Sequence, residues 1–171
     1  MDEPMVTTPG EPTLRVTARV LPVNHRGEVL LLLDQDPGRP GVARWGTIGG
    51  AVDPGETLHD AAVREMHEET GIRIEAADLV GPVHRDLVPF SYDGRSFLGD
   101  STFFALTLAH DVEVVFDHLE PLEVDNVLDH GWWSPTDLAA DGRAVFPDLP
   151  DIMTKAVEAV AALAADERNP Q

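Results

Sequence analysis

From Leu14 the chain alternates strictly. Leu14, Val16, Ala18 and Val20 point one way and Arg15, Thr17 and Arg19 the other, the period of a strand with one buried face. Asn24 to Gly27 supply turn residues, and Glu28 to Leu33 read as a second, apolar strand. Asp36 to Gly41 is a proline- and glycine-rich loop, after which Arg44-Trp45-Gly46-Thr47-Ile48 is expected as a short strand running into Gly49-Gly50. Between residues 58 and 70 the period changes to that of a helix. Pro54-Gly55 suits the centre of a type II turn, Thr57 and Asp60 have the spacing of a capping box, and Gly71 stands where a helix is closed by a left-handed residue. Val80 to Tyr92 and Ser96 to Thr107 flank Asp93-Gly94, a hairpin signal.

Residues 111 to 129 are acidic and irregular, His130 to Trp133 read as a last short strand, and Ser134-Pro135-Thr136-Asp137 opens a helix. Ile152, Met153, Ala156, Val157, Val160, Leu163 and Ala164 then mark the apolar stripe of a C-terminal helix, read as core packing. Hairpins mixed with crossover elements, and helices available for two faces, predict an α/β fold: a central mixed sheet sandwiched by helices. Residues 1–12, rich in proline and glycine, are expected as a loose tail, and 13–167 as a single domain without internal repeats.

At 171 residues and 43% hydrophobic the chain is long enough for one well-formed core. No run approaches the roughly 18 apolar residues of a bilayer-crossing helix, and Met1-Asp2-Glu3-Pro4 lacks the basic-then-apolar order of a signal peptide. A cytoplasmic protein with no membrane association is therefore expected. The absence of cysteine excludes disulfides, thiolate metal sites and a thiol nucleophile. A formal charge of −19 repels a phosphate backbone and argues against duplex nucleic acid as a partner. It allows a small phosphorylated ligand if a metal and a few arginines neutralise it locally.

The helix carries that chemistry. At about 100° per residue, Glu65, Glu68 and Glu69 share one arc, with Leu58, Ala62, Met66 and Thr70 beside it to pack on the sheet. Glu65 and Glu69 are a like-charge i, i+4 pair that weakens a bare helix, and Arg64, at i, i+4 to Glu68, offsets only part of this. One account is a solvated acidic face. The other is a cation site, favoured by Gly49 and Gly50, which allow close backbone approach and a carbonyl donor. Hard oxygen donors select Mg2+, or alternatively Mn2+, over zinc. His67-Glu68-Glu69 fails as a zinc helix because Thr70-Gly71 occupies the place of the second histidine, and the seven histidines show no other ligand spacing.

Residues 50–72 resemble the Nudix box. Gly50, Glu56, Arg64-Glu65, apolar Met66, Glu68-Glu69, Gly71 and apolar Ile72 match each of its fixed positions. The flanks look like the family as well: a strand with Arg19, Leu30-Leu31-Leu32, Trp45 before Gly49-Gly50, and Trp132-Trp133-Ser134 before a helix, so that the resemblance reaches from about residue 14 to 165. It implies an α/β/α sandwich that hydrolyses a nucleoside diphosphate linked to another moiety by attack of a metal-activated water. By the same resemblance Glu65, Glu68 and Glu69 hold Mg2+, the Gly49 carbonyl adds a ligand, and Glu56 and Arg64 lock the loop. The general base is Glu65 in the box, or Glu123 or Glu120 in a later loop, with Glu123 preferred.

For the substrate, Arg19 is the candidate phosphate contact, with Arg44 and Arg85 as weaker ones, and Trp45, Phe90 and Tyr92 are candidate base platforms, although an aromatic near a strand is more often core. The signatures of NADH and coenzyme A enzymes are absent. Pro89 and Tyr92 lie only loosely near positions of the ADP-ribose and dinucleoside-polyphosphate enzymes, and Ile48 stands where the family often has proline. A homodimer is allowed as the assembly. The competing reading is a non-catalytic nucleotide sensor on the same fold. A third, an isoprenoid-diphosphate isomerase, needs a cysteine this chain lacks.

Overall fold

A computed structural model describes residues 10–170, and most of the expected tail, residues 1–9, lies outside them. Strand β1 (Thr13–Val23) runs through the middle of the molecule, followed by β2 (Val29–Gln35), β3 (Ala43–Gly46) and β4 (Ile48–Ala51). Helix α1 (Leu58–Thr70) precedes the long hairpin of β5 (Val80–Tyr92) and β6 (Arg95–Thr107). Strand β7 (Val127–Trp133) and helices α2 (Pro135–Asp141) and α3 (Leu149–Arg168) complete the chain. The sheet is mixed: β1 pairs in parallel with β6 along its whole length, while β5–β6, β2–β7 and β1–β4 are antiparallel.

The segment expected as one short strand is two. Strands β1 and β2 touch at Val23 and Val29 and then separate, so β3 pairs with β2 and, after Thr47, β4 pairs with β1. This handover brings Gly49 opposite Arg19 and Gly50 opposite Ala18.

Side chains alternate between two cores. Ala18, Val20, Leu30, Leu32, Phe104 and Leu106 meet Ala61, Ala62 and Met66 of α1. Leu21, Val23, Leu31, Phe103 and Ala105 meet Ile152, Met153 and Ala156 of α3 on the other face. Strand β1 is thus covered on both faces in its second half. In its first half the expected inner face is bare, with Leu14 59% and Val16 40% exposed, while Thr17 on the polar face is buried. The apolar stripe of α3 is buried only in its first half, and Leu163 is 40% exposed.

Helix α1 has the expected boundaries because both ends are locally specified. The Thr57 hydroxyl accepts the Asp60 N–H while the Asp60 carboxylate accepts the Thr57 N–H, and Gly71 at φ 75° donates its N–H to the His67 carbonyl. Its docking rests on Met66, fully buried against the sheet. Met66→Ala should lower stability by about 2–5 kcal/mol, seen as a lower urea midpoint at unchanged slope.

Candidate active site

Glycine at positions 49 and 50 lets α1 press its glutamates against β4. A Cβ on Gly50 would lie 2.6 Å from Glu65 Oε1, and one on Gly49, whose φ is +132°, would lie 2.2 Å from the Ala18 carbonyl. The Gly49 N–H donates to Glu69 Oε2 at 3.1 Å. Glu65 and Glu69 are therefore buried (7% and 6% exposed), whereas Glu68 on the same arc keeps contact with solvent. A solvated acidic face is excluded for the first two.

Arg64 is the local counter-charge. Its Nε and Nη2 fork onto the two Glu56 oxygens at 2.8 and 2.9 Å, Nη2 also reaches the Ala51 carbonyl, and Nη1 donates to Glu65 at 2.9 Å and Glu68 at 3.1 Å. Glu56 in turn accepts the Asp53 N–H at 2.8 Å, which ties the turn before the helix to the helix itself. The fork holds the Glu56 carboxyl below its usual range, and these carboxylates hold Arg64 firmly charged.

Arg64 and Arg19 do not fully compensate the buried acids. Burial, with Glu68 and Glu123 adding to it and Arg64 opposing, pushes Glu65 up to about 7. Glu69 is pushed well above the carboxylate range by burial and by the charges of Glu65 and Glu123, against the Gly49 N–H and Arg19. Glu68 is raised by burial and by Glu120 and Glu123 against Arg64. Two buried oxygen ligands, a third beside them and a glycine strand that admits no Cβ make a donor set suited to a hard divalent cation.

Other residues singled out from the sequence fall differently. The Arg19 guanidinium lies near Glu69, and its Nη1 donates to the Gly49 carbonyl at 3.0 Å, so that carbonyl already has a partner. Glu123 sits in a loop where its Oε1 accepts the Glu120 N–H at 3.1 Å, and its charge is felt by Glu65, Glu68, Glu69 and Asp34. Glu120 is exposed. Arg44 points to the Gly142 carbonyl, and Arg85 is engaged by Asp100 at 2.9 Å. Trp45 is core: 6% exposed, packed at 5.3 Å on Trp133, its ring faces closed to a stacking base. Core packing therefore holds there rather than a base platform, since Trp45 belongs to the buried cluster that also takes in Leu138, Leu149 and Ile152.

No sequence pattern marks Asp34. It ends the apolar run of β2, where a single acid signals only a strand terminus, yet burial raises it to about 6 with Arg19 opposing and Glu123 adding. The fold also gathers His84, Asp86 and Asp148, which no sequence spacing suggested. There the Lys155 ammonium lies 2.9 Å from His84 Nδ1, so Nδ1 accepts and the protonated Nε2 donates to Asp86 at 3.3 Å. A histidine in that tautomer has no lone pair left for a cation, which leaves the box glutamates as the better metal site.

A sequence model of the NUDIX domain matches residues 13–150. Over 103 residues the chain is 28% identical to the mouse oxidized purine nucleoside triphosphate hydrolase, covering 56% of this chain and 63% of that protein. Over 89 residues it is 36% identical to the RNA pyrophosphohydrolase of Erythrobacter litoralis, covering 50% of this chain and 52% of that one. It thus spans less than two thirds of the length of either relative. The MutT protein of Methanosarcina mazei has a similar fold, with a TM-score of 0.64 at 21% identity over 86% of this chain and 96% of that chain. Matched over most of its length by the domain model, and carrying the full box on the glycine strand and its facing helix, the chain belongs to the NUDIX domain family.

Proposed function

We propose that this chain is a Mg2+-dependent pyrophosphohydrolase that cleaves the phosphoanhydride of a small nucleotide-type substrate, a nucleoside diphosphate linked to another moiety. The observation that carries the reading is the burial of Glu65 and Glu69 against Gly49 and Gly50. A protein that only bound a nucleotide would have no use for two raised carboxyls at a surface where phosphate must approach. Glu65, Glu69 and Glu68 would hold the ion. Bound there, Mg2+ supplies neutralisation of phosphate charge and acidifies a water ligand.

The chain's own groups do the rest. Arg64, fixed by Glu56 and Ala51, keeps the Glu65 and Glu68 carboxylates aimed rather than free to rotate. Arg19 offers a guanidinium beside Glu69 for a phosphate oxygen. Glu123, preferred over Glu120 because its charge is felt by each of the three box glutamates, accepts the proton of the attacking water. The relatives' names point to oxidised purine nucleoside triphosphates and to RNA. A net charge of −19 favours the small nucleotide over the longer polyanion.

Release of phosphate or pyrophosphate from a panel of nucleoside triphosphates, oxidised purine nucleotides, ADP-ribose and dinucleoside polyphosphates tests the reading. Turnover should require Mg2+ or Mn2+ and vanish with a chelator, and activity that survives metal removal would overturn it. Glu69→Gln and Glu123→Gln should each lower kcat by about 10²–10⁴-fold, Glu69→Gln with retained nucleotide affinity. Tight binding of one nucleotide by a wild-type protein that turns over none would establish the sensor instead.

Stability of the metal-free protein should depend on pH through the same groups. Glu65 and Glu69 are raised in the folded state, so their stabilising contribution is complete below the unfolded carboxylate range near 4.5 and is lost as pH rises, through about 7 for Glu65. The melting temperature without metal should fall over that window, and Mg2+ should raise it more at pH 8 than at pH 5.5. A Glu65→Gln/Glu69→Gln double variant should lose both effects. Gly50→Ala, whose methyl would collide with Glu65, should weaken Mg2+ binding by about 10–100-fold in a calorimetric titration while the protein stays folded.

A further inference from the structure

The β5–β6 hairpin is anchored at its tip by one carboxylate from another part of the chain. Asp36 Oδ1 accepts the Gly38 N–H of its own loop at 2.8 Å and the Asp93 N–H of the hairpin turn, 57 positions away in sequence, at 2.7 Å. Asp93 (φ 50°) and Gly94 (φ 71°) are both left-handed, as a tight two-residue hairpin turn requires, which directs the Asp93 N–H outward to the β2–β3 loop. The loops meet backbone to backbone: a Cβ on Gly38 would lie 2.9 Å from the Gly94 nitrogen and 3.1 Å from the Asp93 Cα. Behind the tip, Phe90 stacks on Phe97 at 5.2 Å, with the Arg15 and Arg95 guanidiniums over the Phe97 ring.

This contact joins two ends of a sheet that β1 holds apart. Strand β2 leaves β1 after Val29, and the β5–β6 hairpin lies on the other side of β1. The Asp36 bond bridges that gap beside Asp34, which stands two residues earlier on β2. Tyr92, adjacent to Asp93 and the sole tyrosine of the chain, is thereby carried into the field of Asp34, Asp36, Arg15 and Glu123. Gln35, between Asp34 and Asp36, donates its N–H to the Asn126 carbonyl at 2.9 Å and its side-chain amide to the Asp125 carbonyl at 3.2 Å, so the latched tip is tied beside the loop that carries Glu123.

We propose that Asp36 is a positioning residue: it latches the hairpin tip to the β2–β3 loop, and the latched tip forms the wall that holds the part of the substrate remote from the cleaved anhydride. The proposal rests on the pyrophosphohydrolase reading for its kinetic consequence, while the latch itself is a property of the fold. Asp36 touches no reacting atom. Its loss frees the wall without altering the glutamates, so it acts on substrate affinity rather than on the chemical step.

Two variants separate the acceptor from the charge: Asp36→Ala removes the oxygen, and Asp36→Asn keeps it. Asp36 belongs to neither core cluster, so both variants should fold. Amide exchange at Asp93, followed by NMR, should accelerate by at least about tenfold in Asp36→Ala and stay near wild type in Asp36→Asn. With the substrate found in the panel and saturating Mg2+, Asp36→Ala should raise KM about tenfold with kcat within about twofold, and Asp36→Asn should restore KM. Unchanged Asp93 exchange in Asp36→Ala removes the latch. Faster exchange with an unchanged KM, or a fall in kcat alone, removes its role in substrate binding, and an Asn variant as impaired as Ala assigns the effect to charge. If the wild-type protein turns over no substrate, the enzymatic reading fails, and the exchange measurement alone upholds or refutes the latch.

Discussion

Two carboxylates pressed between a helix and a glycine strand set the terms for the rest of this protein. Taking Glu65 and Glu69 out of water is unfavourable unless a proton or a cation accompanies them. The structure answers with geometry rather than with full charge compensation. Arg64 is committed to a fork on Glu56 and reaches Glu65 and Glu68 with one remaining nitrogen, and among the described residues Glu69 receives only the Gly49 N–H as a hydrogen bond. A divalent cation bound there would complete the compensation.

Maintaining that arrangement requires stability from elsewhere. It comes from the two cores on either face of the sheet. The α1 face, with Met66, Phe104 and Ile48, holds the helix down on β4, and the α3 face, with Leu31, Phe103 and Ile152, clamps the sheet from behind. The handover from β3 to β4 matters for the same reason. It lets one run of chain serve two diverging strands and delivers Gly50 to the place where a Cβ would collide with Glu65, and Gly49 to one where it would collide with the Ala18 carbonyl. The hairpin tip is tied back to the β2–β3 loop by Asp36.

Much of this was legible in the residues. Thr57, Asp60 and Gly71 fixed the helix ends, Asp93-Gly94 fixed the hairpin, and the spacing of Glu65, Glu68 and Glu69 announced a shared face. What the pattern left open was which of those glutamates is buried, and periodicity alone does not separate a solvated acidic arc from a cation site. For Trp45 the pattern allows either a base platform or core packing, and its place beside Trp133 decides for the core. Asp34 gave no signal, since an acid at the end of an apolar strand is ordinary until Arg19 and Glu123 are brought beside it.

By itself the sequence determined most of the elements, the β3–β4 split excepted, with their caps and turns and the set of oxygen donors, because these depend on hydrogen bonds and periodicities spanning three or four residues. Only the tertiary structure decided the parallel pairing of β1 with β6, the direction of Arg19 toward the Gly49 carbonyl, the burial of Glu65 and Glu69, and the bond from Asp36 to Asp93. Each of these joins segments distant along the chain. Their energies depend on which faces meet and on what water is excluded, and no local pattern encodes that.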